Sequence, residues 1–263
     1  MGAGVEFRVT GRPRASRTVR PAPLTINITS KNGRELFDIV IHADFKDSLD
    51  LQVLQVLPRE QHLVLVAREL DEDGSALKKH HFLCGHDERH WFVAGVSGVS
   101  TVDGARDSLK PDEIRRQESS QGLNRKRRNL RRNEIFVRQG EWFFMPSPGL
   151  PVDSHLIRKN EPMRRTGQRG GKAHWAEFAF RSGGEVVKVC DKYPNGLTMA
   201  QYRKLIKMRP QALKLNWIDM RRNAALYVKG RITHADHATV VLADWHRVMM
   251  NTERGTETVV FLD

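Results

Sequence analysis

Leu63-Val64-Leu65-Val66-Ala67-Arg68-Glu69-Leu70 runs into Asp71-Glu72-Asp73-Gly74, and Leu77-Lys78-Lys79-His80-His81-Phe82-Leu83-Cys84 follows shortly after. Two runs rich in apolar side chains flank a turn-forming tetrapeptide. Asp73-Gly74 supplies positive φ at low steric cost, so the stretch predicts a β-hairpin. Working outward, short apolar or alternating runs occur at 6–10, 24–29, 36–42, 51–57 and 91–96. Turn formers separate them at Lys31-Asn32-Gly33, at 44–50 and at Gly85-His86-Asp87. Seven such runs predict a β-rich domain over 1–110, a barrel or a sandwich. Residues 101–109 and 112–118 read as helices, with Pro111 at the start of the second, where its missing N–H costs nothing.

A second unit is expected over 134–263. Strands are predicted at 134–137, 140–145 and 185–189, while 173–180 suits strand or helix. Thr198 before Met199-Ala200-Gln201-Tyr202 is an N-cap with Gln at the third helical position, so a helix should run from there and stop before Pro210. Residues 217–223 suit a further turn or two of helix, and 226–232, 238–242, 248–251 and 259–262 suit strands. The fold class read from the chain is therefore α+β, a β-rich N-terminal domain and an α+β C-terminal domain joined by a basic connector at 111–133.

That connector dominates the charge pattern. From Arg115 to Arg138 nine cationic side chains face only Glu118 and Glu134 within the run. The whole chain carries 44 Lys plus Arg against 31 Asp plus Glu, a net charge of +13. Guanidinium groups at this density repel one another unless an anion lies close by, which points to a polyanionic partner and to phosphate contacts. Arg125, Lys126, Arg127, Arg128, Arg131 and Arg132 are the expected nucleic-acid contacts, on a connector that can be helical around 124–134. Arg164, Arg165, Arg169 and Lys172 frame a glycine-rich stretch of the same composition. RNA is favoured over DNA because the chain shows no helix-turn-helix or zinc-finger pattern. An adaptor role in a larger nucleoprotein or mobile-element assembly is a further reading of the same charges.

His234-Ala235-Asp236-His237 falls in a tight turn between two predicted strands, with Asp244 and His246 at the far end of the second. Histidines and carboxylates bind divalent ions and move protons, so His234, Asp236, His237 and His246 are the candidate catalytic side chains. His174 and Glu177, three residues apart as on one turn of helix, join His234 and His237 as candidate metal ligands. The activity implied is that of a metal-dependent nuclease or RNA-processing hydrolase, with a divalent metal ion as cofactor. A second concentration of histidines, His80, His81, His86 and His90, surrounds Cys84 and suits a thiolate–histidine pair or a metal site.

Other chemistries lack their motifs. The chain has no glycine-rich nucleotide loop of the Rossmann or Walker kind and no Gly-x-Ser-x-Gly elbow. Cys84 and Cys190 are its two thiols, too few for a disulfide framework, and reduced buried thiols are expected. No run approaches the roughly 18 apolar residues of a membrane helix, and the N-terminus lacks a signal-peptide core, so a cytoplasmic location is expected. Trp142-Phe143-Phe144 and Trp175 follow the two basic stretches. Strand alternation sends at least one face of the former to the core, and any exposed ring could stack on an unpaired base.

Overall fold

A computed structural model describes residues 6–12, 23–31, 34–88, 90–164, 172–253 and 261–262, so Asn32 and Gly33 of the first expected turn, and Arg165 and Arg169, lie outside it. The chain is α+β and mostly β, 52% strand against 20% helix. It divides into two units. Unit 1 comprises 1–133 with 250–255, and unit 2 comprises 134–249 with 256–263.

Among its described residues unit 1 contains seven strands: β1 (Glu6–Arg12), β2 (Leu24–Lys31), β3 (Arg34–His42), β4 (Leu49–Leu57), β5 (His62–Leu70), β6 (Ala76–Asp87) and β7 (His90–Val96). β1 lies parallel to β3, and β2 antiparallel to it, in a three-stranded sheet, while β4 to β7 form an antiparallel meander. The hairpin read from Asp73-Gly74 is β5–β6, with Gly74 at φ +78°. β5 is apolar on both faces because both are covered. Leu63, Leu65 and Ala67 pack with Leu24, Phe37 and Ile39 of the first sheet. Val64 packs with Val102, Ala105 and Leu109, of which the first two lie in helix α1 (Val102–Ser108). A strand covered on both sides reads as a continuous apolar run instead of an alternating one.

The basic stretch is part of unit 1. It holds α2 (Asp112–Ser120) and the single turn α3 (Arg125–Arg128), which Asn124 caps by accepting the Arg127 N–H at 3.0 Å. Acids from distant sequence meet several of its cations, which corrects the expectation that the run is uncompensated. Arg131 pairs with Asp87 and Glu88 at the β6–β7 turn, and Arg125 pairs with Asp103 of α1. Arg128 donates through Nε to the Leu123 carbonyl at 2.7 Å. Lys126 and Arg132 are exposed, and among the described residues neither is held by an ion pair.

Unit 2 begins with the hairpin β8 (Val137–Gln139) and β9 (Trp142–Pro146), followed by β10 (Arg158–Met163), β11 (His174–Ser182), β12 (Glu185–Cys190), β13 (Tyr193–Thr198) and helix α4 (Met199–Met208). β14 (Ile218–Arg222), β15 (Ala225–Thr233), β16 (Val240–Met250) and β17 (Phe261–Leu262) complete it. One sheet has the order β10-β11-β15-β16-β9-β8 and the other β13-β12-β14-β17. The capping box read at Thr198 and Gln201 starts α4 as expected. Residues 217–223 are a correction. Within them Ile218–Arg222 is a strand, not a helix, and β14 pairs with β12 so that Glu185 faces Arg222 and Lys188 faces Asp219, joined at 2.6 and 2.8 Å. Opposite charges across a pair of strands favour that register. The strands expected at 238–242 and 248–251 are the two ends of one long strand, β16, and the segment expected at 173–180 as strand or helix is the strand β11.

Candidate metal centre

The site is built at one end of the six-stranded sheet. His174 opens β11, while His234 and His237 lie in the connection between β15 and β16. Pairing of Trp175 with Thr233 and Ala176 with Ile232 brings the start of β11 beside that connection. The candidate ligand nitrogens of His174, His234 and His237 all fall within 4.8 Å of one another. The rings are nearly parallel, with centroids 4.1 Å apart for His174 and His234, 4.7 Å for His234 and His237, and 5.5 Å for His174 and His237.

Gln139 fixes the centre from beneath. It is 1% exposed, and its Nε2 donates to the carbonyls of Ile232 and Ala238, at 3.2 and 2.6 Å. An amide whose nitrogen faces two carbonyls has its orientation settled, so Oε1 must be the atom facing His174 Nδ1 at 3.1 Å. His174 therefore donates its Nδ1–H to Gln139 and keeps the lone pair on Nε2, the arrangement metal-bound imidazoles show toward their outer partners. The next two residues form the β8–β9 turn. Gly140 has φ +58° and Glu141 does not have positive φ, a type II′ pattern. Gly140 lies so close to His237 that a Cβ there would stand 2.7 Å from Nε2. Glu141 Oε2 is 3.7 Å from His174 Nε2. Burial works to raise the Glu141 pKa, but His174 in its protonated form, the backbone N–H of Glu141 itself and the charge of a protonated His237 outweigh it and hold the carboxyl below its usual range.

His234 accepts the Asp236 N–H on Nδ1 at 3.1 Å, and its Nε2 lies 3.3 Å from the Lys172 carbonyl. Burial, then the neighbouring His174, lowers its pKa, so the ring is neutral at physiological pH. A zinc ion with nitrogen ligands at about 2.0–2.1 Å needs them roughly 3.4 Å apart, so the rings must draw in and turn, and His234 must release the Asp236 N–H from Nδ1 to offer a lone pair. The donor set fits zinc: three imidazoles, one tautomer preset, and a carboxylate beside them.

Other predicted site residues lie elsewhere. Glu177 Oε2 accepts the Arg231 N–H at 2.8 Å beside the irregular pairing at Gly230, so it serves the sheet and not the cluster. His246 pairs with Val228, six residues before His234, or about 20 Å along the strand. It is buried, and its Nδ1 lies 2.8 Å from the Asp244 carbonyl. Asp236 binds Lys172 Nζ at 2.6 Å and orients His234. Around Cys84 the histidines disperse: His80 joins Glu69 at 2.7 Å and His81 lies 2.9 Å from the Val99 carbonyl. Burial pushes the Cys84 thiol up to about 12, and among the described residues no second group of three such side chains converges. Trp142, Phe143 and Phe144 are buried, whereas Trp175 is 44% exposed.

Gln139, Gly140 and Glu141 escaped the reading of the sequence. Gly140-Glu141 between Val137–Gln139 and Trp142–Pro146 is a two-residue Gly-X hairpin turn, and that signal was available. No helix among the described residues is long and apolar enough to cross a membrane. No protein-family model matches the chain, and no curated protein or solved structure is similar to it.

Proposed function

We propose that unit 2 is a zinc-dependent nuclease in which His174, His234 and His237 hold the ion and Glu141 accepts the proton of the attacking water. The convergence of three imidazoles beside a carboxylate carries this reading, because three protein ligands with room for a fourth is the pattern of catalytic zinc. Bound zinc lowers the pKa of its water to about 7 and polarises a phosphoryl oxygen. Glu141, held ionised, is the base within reach, and Gln139 keeps the His174 lone pair directed inward.

Charge supports nucleic acid as the substrate. Unit 2 carries 20 Lys and Arg against 12 Asp and Glu. One of these cations lies next to the cluster in sequence: exposed Arg164 follows Met163, the strand partner of His174, whereas the Lys172 ammonium is held by Asp236. Phosphates attract such side chains without sequence readout. In unit 1 the exposed Lys126 and Arg132 offer further phosphate contacts, with Arg127 between them. Arg125 and Arg131 already meet acids of the chain itself, which removes the need for an acidic protein partner at those positions.

The test uses the full chain stripped with EDTA and titrated with zinc, manganese and magnesium, with cleavage of labelled single-stranded RNA, duplex RNA and duplex DNA followed in parallel. One zinc per chain, with binding and cleavage both lost in His174→Ala and His237→Ala, is expected. Zinc affinity unchanged by His174→Ala would reject the centre, and zinc binding without cleavage of any of the three substrates would reject the activity.

A further inference from the structure

A cleft of about 630 Å³ opens in unit 2 where the far end of β11 meets β12 and β14. Arg158, Arg181 and Arg221 line it with Leu156, Val186 and Met220. Phe180, also in its wall, lies six residues along β11 from His174, about 20 Å at the strand rise, so the cleft is separate from the imidazole cluster.

Its charge is unbalanced. Arg158 and Arg181 share one carboxylate, Glu161, at 3.9 and 2.7 Å. Arg221 donates to the Gly183 carbonyl at 3.0 Å. Asp219 also lines the cleft, but Lys188 holds it at 2.8 Å. Arg221 thus meets no carboxylate among the described residues, and Arg181 shares Glu161 with Arg158. The Arg181 Nε–H is buried and meets no acceptor among the described residues. A buried donor left unsatisfied costs about 1–3 kcal/mol, so the Arg181 side chain is not fully satisfied by its own fold. Beside these cations, Leu156 and Val186 are 59% and 44% exposed, an apolar wall open to solvent.

We propose that this cleft binds a nucleoside phosphate, its phosphate between Arg181 and Arg221 and its base against Leu156 and Val186. A fork of guanidinium donors suits phosphate geometry better than ammonium groups do. The volume falls within the range of small-ligand pockets, roughly 300–1,000 Å³. Neither the zinc centre nor its activity is needed for this binding.

The experiment is isothermal titration of the EDTA-treated full chain with adenosine 5′-monophosphate, adenosine and inorganic phosphate. The nucleotide is expected to bind more tightly than either fragment. Arg221→Gln, on an exposed side chain, and Val186→Glu should each weaken nucleotide binding at least about tenfold, the loss of one charge-assisted contact, without lowering the melting temperature. His174→Ala should bind the nucleotide as the wild type does. Absence of nucleotide binding, or affinity unaffected by both cleft substitutions, overturns the proposal. Phosphate binding as tight as the nucleotide overturns the role of the apolar wall. Loss of nucleotide binding in His174→Ala would place the ligand at the imidazoles instead.

Discussion

Gln139 Oε1 accepts the Nδ1–H of His174 at 3.1 Å, and the same side chain ties Ile232 to Ala238 across the connection that carries His234 and His237. One amide thus orients one imidazole and closes the loop that holds the other two. In Gln139→Ala two carbonyls and a ring N–H lose their partner in a site with little water. A loss of about 1–3 kcal/mol in urea unfolding is expected. Zinc affinity should fall about 10–100-fold, the usual effect of removing an outer partner of a metal-bound histidine. Unchanged affinity in a folded variant would show that something else sets the His174 ring.

Glu177 separates a structural carboxylate from a ligand. Its Oε2 accepts the Arg231 N–H, and Gly230, at φ +85°, leaves room for it where a Cβ would stand 2.6 Å away. Glu177→Ala should cost about 1 kcal/mol, since the bond is exposed, and leave zinc affinity unaltered. Glu177→Gln keeps an acceptor and should restore most of the stability. A fall in affinity comparable to that of His174→Ala would return Glu177 to the cluster.

What the sequence made legible follows from how local each signal is. The β5–β6 hairpin and the α4 cap are written in neighbouring residues, Asp73-Gly74 and Thr198 with Gln201. The strand at Ile218–Arg222 is not, because Trp217, Ile218 and Met220 suit either periodicity and the choice falls to Glu185 and Lys188 across the sheet. Glu177 was paired with His174 on helical spacing, but β11 is a strand, where residues three apart face opposite sides. His174 comes beside His234 and His237 through the register of β11 on β15, which no local spacing displays. Gln139 carries no chemical signature alone. The acids that meet Arg125 and Arg131 come from residues 103, 87 and 88, distances along the chain that no local reading of charge can span.

Two histidines tie stability to pH in one direction. Burial lowers the pKa of His62, against its hydrogen bond with the Glu60 carbonyl, and burial followed by His174 lowers that of His234. In the unfolded chain both take up protons near about 6.5, while in the fold they resist until lower pH. The unfolded state then binds more protons, so this stability is complete above about pH 6.5 and declines as the pH falls below it. Urea midpoints measured from pH 8 to 5.5 should fall, and His234→Asn should flatten part of the slope. A midpoint that rises on acidification would mean that these rings gain protons on folding.

Lys110 and Glu118 hold the basic stretch in place from within. Lys110 Nζ donates to Glu118 Oε1 and Oε2 at 3.0 and 2.9 Å, to Asp107 at 2.7 Å and to the Arg128 carbonyl at 2.9 Å. The two side chains are 4% and 1% exposed. Lys110→Met strands the Glu118 carboxylate in the core, which typically costs about 3–5 kcal/mol, whereas replacing both partners with apolar residues removes the uncompensated charge and should cost less. Because the ammonium also binds the Arg128 carbonyl, its loss should loosen the turn that carries Arg125 to Arg132. Trypsin, which cuts after Arg and Lys only where the backbone can open, should then cleave this stretch faster in Lys110→Met than in wild type brought to the same unfolding free energy with urea. Equal cleavage rates would show that the pairs of Arg125 with Asp103 and of Arg131 with Asp87 and Glu88 suffice to hold it.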